Sequence, residues 1–181
     1  MDNLATMACF HRRYDLGDKG HGYDSKDYPG WDAMEKAIVK REKPADILPI
    51  YMYDHSGLAI SVERTGCFAD RWDSGQIGFI FISKAKARKE FGELTQKVLE
   101  QIRKNLLAEV ETYNQYLQGD VWAYTIRNNK GEWLDSRGGF YGQEDCIADA
   151  KFAAEGKAKK LAEEAKFKDA TGQLKLEFAK E

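Results

Sequence analysis

Between residues 47 and 83 the apolar positions come in three runs separated by turn chemistry. In the first run, 47–53, Leu48, Ile50 and Met52 alternate with Ile47, Tyr51 and Tyr53, so the predicted strand is apolar on both faces. A strand covered on both sides belongs inside a sheet, whereas Pro49, which has no amide hydrogen, favours an edge or a bulge. The two signals conflict. Asp54-His55-Ser56-Gly57 is a turn: the Asp can bond the backbone ahead of it and the Gly can take a positive φ. Leu58, Ile60 and Val62 then alternate with Ala59, Ser61 and Glu63, as a half-buried strand does. Residues 77–82 are apolar on both faces and are expected to be central, with a gap at Gly78 for a neighbouring ring to fill. The core should form on this stretch, which has the densest apolar content in the chain.

The remaining pattern supplies the covering elements. Residues 4–12 predict a strand with Met7 and Cys9 on one side and Thr6, Ala8 and Phe10 on the other. A polar loop rich in Gly and Asp follows over 14–28. Trp31, Met34 and Ile38 carry helical spacing over 31–42, and Pro44 follows its end. Residues 84–91 predict a short helix ended by Gly92. Over 93–117, Leu94, Val98, Ile102, Leu106, Val110, Tyr113 and Leu117 form one stripe, the expected main helix–sheet interface. Residues 121–126 and 133–137 predict a hairpin about Asn128-Asn129-Lys130-Gly131, with 138–142 as a flexible exit. Residues 143–168 form an Ala-, Lys- and Glu-rich helix with a thin stripe (Ile147, Ala150, Ala154, Leu161, Ala165), so weak docking is expected. Gly156 weakens that helix by about 1 kcal/mol relative to Ala. Residues 171–181 predict a frayed tail.

Hairpins dominate this order. It predicts an α+β fold: a largely antiparallel sheet of about six strands, helices packed on one side, and a C-terminal helix. The predicted organisation is a core domain over 1–142 and an appended helix and tail over 143–181.

Composition narrows the function classes. With 181 residues the chain can bury a real core, and 43% hydrophobic content argues against disorder. A net charge of -2 fits neither a polybasic DNA binder nor an acidic whole-surface DNA mimic. Cys9, Cys67 and Cys146 are odd in number and widely spaced, with no Cys-x-x-Cys pair to seed a zinc site, so they read as reduced, buried thiols. The N-terminal residues lack a signal-peptide pattern and no segment reaches the length of a membrane span. A protein that stays in the cytoplasm of the cell that makes it, or of a cell infected by its carrier, is expected.

Candidate chemistry is sparse. His11, His21 and His55 lie near Asp15, Asp18, Asp24 and Asp54, but no His pair has metal-ligand spacing. Asp54-His55-Ser56 holds the residue types of a hydrolase triad, yet adjacent turn residues seldom point at one another, and no Gly-x-Ser-x-Gly elbow supports it. Gly20-His21-Gly22 and Gly138-Gly139 are too short for phosphate loops. Arg71-Trp72-Asp73-Ser74-Gly75 carries the residue types of binding hot spots. A Trp ahead of a buried strand can equally plug the core. His11-Arg12-Arg13-Tyr14 mixes cationic and aromatic groups as nucleic-acid surfaces do, though a solvated strand end explains it equally well.

Five stretches together resemble a family of small proteins carried by phages and mobile elements of gut Firmicutes. They are 3–18 (Asn-Leu-Ala-Thr-Met-Ala-Cys-Phe-His-Arg-Arg-Tyr-Asp-Leu-Gly-Asp), 48–57 (Leu-Pro-Ile-Tyr-Met-Tyr-Asp-His-Ser-Gly), 71–80 (Arg-Trp-Asp-Ser-Gly-Gln-Ile-Gly-Phe-Ile), 109–121 and 139–142 (Gly-Phe-Tyr-Gly). The resemblance spans about residues 2–150. It departs at Arg137-Gly138, where a Cys-Trp pair is expected before Gly-Phe-Tyr-Gly, and in the last thirty residues or so. Some similar phage proteins are anti-CRISPR inhibitors of the type II effector nuclease. The resemblance therefore implies a non-enzymatic inhibitor that binds a type II CRISPR effector–guide RNA complex and impairs target DNA binding. It implies no catalytic residue, cofactor or metal. Such effectors hold nucleic acid in a positively charged channel, where the acidic loops (Asp15, Asp18, Asp24, Asp27; Asp70, Asp73) are expected to compete. The candidate partner-binding residues are Arg12, Arg13, Asp70, Arg71, Trp72, Asp73, Arg137 and Tyr141. The alternative is a nucleic-acid-binding module with direct DNA contact through Arg12, Arg13, Arg71, Trp72 and Arg137; a metal-dependent enzyme stands third.

Overall fold

Ten main elements follow one another in the computed structural model, which describes residues 3–55 and 57–170, with side chains to residue 165. They are β1 (Thr6–Cys9), α1 (Trp31–Glu42), β2 (Pro44–Asp54), β3 (Leu58–Ser61), β4 (Ser74–Ser83), α2 (Lys84–Phe91), α3 (Gln96–Leu117), β5 (Val121–Arg127), β6 (Trp133–Tyr141) and α4 (Gln143–Ala170). The tail expected at 171–181 lies outside the described residues.

The fold class is α+β with antiparallel pairing throughout. The six strands do not make one sheet. Four pair in the order β1-β4-β2-β3, and β5 pairs with β6 separately. The chain divides into two compact units, Met1–Gly119 and Asp120–Glu181. The break therefore precedes the β5–β6 hairpin, whereas the sequence pattern placed it after residue 142, because the hairpin packs with α4.

Helices cover the four-stranded sheet on both faces, not on one as expected, because β4 is apolar on both. Its Ile80 and Ile82 side meets Ile102, Leu106 and Val110 of α3, together with Leu48, Ile50, Met52 and Ile60. Its Phe79 and Phe81 side meets Met34 and Ile38 of α1, with Ala8 and Tyr23. Ile38, Ile102 and Leu106 have no exposed surface, and burying each such side chain stabilises by about 1.5–3 kcal/mol.

Local signals fix where these helices begin and end. Ser83 Oγ accepts from Lys86 N at 3.2 Å and starts α2; Gly92, at φ +76°, ends it. Thr95 Oγ1 accepts from Val98 N at 3.4 Å, so α3 starts later than its apolar stripe. Lys43, at φ 46°, stops α1 in a left-handed conformation, and β2 begins at the next residue.

Both edges of the four-stranded sheet are closed by polar side chains. Asn114 Oδ1 on α3 accepts from Ile60 N of β3 at 2.9 Å. At the other edge Asp18 Oδ2 accepts from Met7 N at 2.7 Å, and Asp18 N donates to Met7 O at 2.8 Å. Unpaired edges invite pairing with other chains, and these bonds remove part of that template.

The two signals at Pro49 are reconciled by the shortness of β3. It pairs with Tyr51 to Asp54 alone, so Pro49 lies where β2 has β4 on one side and no strand on the other. Gly78 departs from expectation. No ring fills a gap there, because β1 itself runs against it: a Cβ at Gly78 would lie 1.9 Å from Ala8 O and 2.9 Å from Cys9 Cα.

In the second unit β6 continues through Gly138 to Tyr141, so these residues of the expected flexible exit are strand. Phe140 pairs with Trp122 and Tyr141 with Val121, and Gly139, at φ +82°, takes up the register shift. Polar ties join α4 to the hairpin: Tyr124 Oη donates to Asp149 Oδ2 at 2.8 Å, Arg137 pairs with Asp149 at 3.0 Å, and Lys157 pairs with Asp135 at 3.0 Å.

Replacing Gly78 with Ala is expected to destabilise the protein by about 3 kcal/mol, because the obstruction is backbone, which cannot swing aside. Urea unfolding of Gly78→Ala against the parent measures this; an unchanged midpoint would show that β1 does not make this approach.

Candidate partner-binding end of the four-stranded sheet

Antiparallel pairing brings the C-terminal ends of β1 and β2 and the N-terminal ends of β3 and β4 to one end of the sheet. The segments leaving that end contain His11 to Tyr14, the Asp54-His55 turn, and the connection through Asp70 to Asp73. Phe10 N donates to Ile77 O at 2.7 Å and carries β1 one residue further. His11 then stacks on Tyr14 with ring centroids 5.0 Å apart. Arg13 forms an ion pair with Asp54 across 41 residues of sequence, and Tyr14 Oη donates to the same carboxylate at 3.4 Å. Asp54 N donates to Asp73 O at 2.8 Å, so the turn is tied to the next loop. His55 Nδ1 lies 3.0 Å from Asp73 Oδ2.

The loop before β4 is braced from within. Asp70 Oδ1 accepts from Trp72 N at 2.6 Å and from Asp73 N at 3.2 Å, and these amides hold its carboxyl below the usual carboxylate range. Ser74 Oγ lies within hydrogen-bond reach of Phe68 O, at 2.9 Å, and of Asp70 O, which share its one proton. Trp72 is 89% exposed, so it does not plug the core. Arg12 and Arg71 are exposed as well.

Six of the eight candidate residues thus lie at this end: Arg12, Arg13, Asp70, Arg71, Trp72 and Asp73. Arg137 and Tyr141 are on β6 in the second unit, where Arg137 holds Asp149 and lies over the Phe140 ring. Asp54, His55 and Tyr14 belong with the six. The sequence singled out Asp54 and His55 as turn and triad types, but their partners, Arg13 and Asp73, are remote in the chain. His55 pairs with Asp73, which comes from a loop remote in the chain; Ser56 lies outside the described residues.

The Gly- and Asp-rich loop has structural duties. Arg41 donates to Gly22 O at 2.9 Å and His21 O at 2.7 Å while lying 3.9 Å from the Tyr23 ring centroid. Glu42 accepts from Tyr23 Oη at 3.0 Å. Asp18 is committed to the β1 edge, Asp24 accepts from Lys26 N at 3.0 Å, and Asp15 pairs with Lys19 at 2.7 Å. Of the acidic loop residues, Asp70 and Asp73 are the ones beside Trp72.

Among the described residues no group of three or more His, Cys, Asp or Glu is placed to hold a metal ion. Among them, no helix is long and apolar enough to cross a membrane. Cys9 and Cys146 are buried as expected, but Cys67 is exposed in the loop between β3 and β4. The chain matches no family model, and comparison with curated proteins and with solved structures likewise gives no match.

Two measurements check this geometry. Burial lowers the His11 and His21 pKa values from 6.5; Arg13 adds to the effect at His11, and Asp18 opposes it at His21. NMR titration should place both imidazoles below 6.5. The unfolded chain then binds these protons first, so stability falls as pH drops through about 6.5 and levels off below the folded values. Replacing both with Gln should remove that part of the fall. In a native thiol assay Cys67 reacts at once. Cys9, whose thiol burial pushes up to about 12, and Cys146 react after unfolding; rapid native labelling of either buried thiol would contradict their placement.

Proposed function

We propose that the protein is a non-enzymatic inhibitor that binds a type II CRISPR effector loaded with guide RNA and impairs its engagement of target DNA. The observation that carries this reading is Trp72, 89% exposed on a loop whose conformation Asp70 and Ser74 hold. An aromatic presented on a pre-ordered loop loses little conformational freedom on binding, which is why Trp and Arg dominate interface hot spots. Arg12 and Arg71 supply cations at the same end, and Asp70 and Asp73 supply the acids suited to a channel that holds nucleic acid. The class of effector comes from the sequence resemblance, which includes Arg71-Trp72-Asp73-Ser74-Gly75. Such an inhibitor acts in the cytoplasm of the bacterial host.

A nucleic-acid-binding module is the second reading, favoured by exposed Arg12, Arg71 and Trp72 on one end of a sheet. Against it, the Asp54 carboxylate already neutralises Arg13, and the net charge is -2.

Purified protein mixed with guide-loaded effector should form a complex, and Trp72→Ala should weaken it by about 2 kcal/mol with stability unchanged. Absence of any complex removes the inhibitor reading. A mobility shift with DNA alone that weakens steeply with salt supports the second one.

A further inference from the structure

Among its described residues the second unit buries little. Cys146 is its one member of the buried apolar set, while seven large apolar side chains stay exposed, Leu161 among them at 45%. A groove of about 440 Å³ lies between the hairpin turn and α4, walled by Ile126 and Leu134 on the hairpin and by Ala154, Ala158 and Leu161 on the helix. Those three helical residues are four and three apart, so they share one face of α4. Two of them are alanine, which leaves room above the helix.

The helix leads past this groove. Asp149 holds Tyr124 and Arg137, Lys157 reaches Asp135, and Leu161 lies by the turn, so α4 runs along the hairpin towards residues 128–130. From Leu161 to the end of α4 at Ala170 is nine residues, about 14 Å of helix. The chain then reads Thr171-Gly172-Gln173-Leu174-Lys175-Leu176-Glu177-Phe178. Thr171-Gly172 is turn chemistry. Leu174, Leu176 and Phe178 alternate with Lys175 and Glu177, the pattern of an extended segment with one apolar face.

We infer that this segment folds back along α4 and lays its apolar face in the groove, Leu176 beside Leu161 and Phe178 beside Ala158. The lengths agree. Six extended residues beyond Ala170 span at most about 20 Å, enough to retrace the helix and step sideways onto the groove. Two residues further on, Phe178 lies about 7 Å along, against about 5 Å of helix between Leu161 and Ala158. Lys175 and Glu177 then face water, and Leu161 gains an apolar cover. The occupant is this segment because α4 delivers it to the groove on a short tether, which amounts to a local concentration on the order of millimolar that an unconnected chain has to exceed.

NMR of the isotope-labelled full chain tests this. Nuclear Overhauser contacts are expected from the Leu176 methyls and the Phe178 ring to the Ala158 and Leu161 methyls. In a mixture of labelled and unlabelled chains those contacts should stay within one copy. Ala158→Trp is the companion variant: Ala158 is exposed, so the added ring fills the groove, and the helical circular dichroism signal should be unchanged. In that variant the contacts to Leu161 should vanish, and trypsin should cut after Lys175 at least about tenfold faster than in the parent. Absence of the contacts in the parent overturns the proposal. So do contacts that pass between copies, which would make the occupant a second chain, contacts to Leu161 that survive Ala158→Trp, or equal cleavage rates in the two proteins.

Discussion

Burial of β4 on both faces is the constraint on which the first unit depends. Its isoleucines and its phenylalanines point to opposite sides, and neither set can be left in water without losing a large share of the apolar burial that offsets chain entropy. The sheet therefore needs two covers. The long stripe of α3 fits the side with the greater area, and the shorter α1, with Met34 and Ile38, fits the other. The backbone of β1 completes the arrangement by running so near Gly78 that no side chain can intervene.

That core places the candidate surface. With antiparallel strands, the segments at one end of the sheet come from three parts of the chain and meet without further design. Ion pairs and hydrogen bonds then lock them: Arg13 on Asp54, Asp54 on Asp73, Asp70 on its own loop. The polar groups that could have served as loose ligands are mostly engaged in holding loops, which leaves the indole of Trp72 and the guanidiniums of Arg12 and Arg71 facing outward.

Much of this was legible in the residues, in proportion to how local each cause is. The spacing of Trp31, Met34 and Ile38 with Pro44 beyond it located α1, and Gly92 marked the end of α2, because periodicity and helix stops act within a few residues. Causes that act across the chain left no local trace. Nothing near Gly78 announces that β1 will arrive there, and Gly138-Gly139 reads as a loop because glycine disfavours strands, yet Gly138 pairs with Ala123 on β5 and Gly139 takes up the register shift. The double-sided apolar pattern of β4 was visible, but which helix would cover which side is a tertiary choice. At the candidate site the sequence pointed to Trp72 and its neighbours. It did not pair Arg13 with Asp54 or His55 with Asp73, since each pairing depends on strands whose order was not readable.

The junction at Lys43 concentrates its effect in one residue. Helix α1 ends and β2 begins there without a spacer, and its carbonyl accepts from Lys84 N at 3.1 Å, where β4 passes into α2. Two helices and two strands are thus fastened at a single corner with no slack in the chain. The loops at the opposite end of the sheet are therefore carried on strands whose other ends are fixed in place.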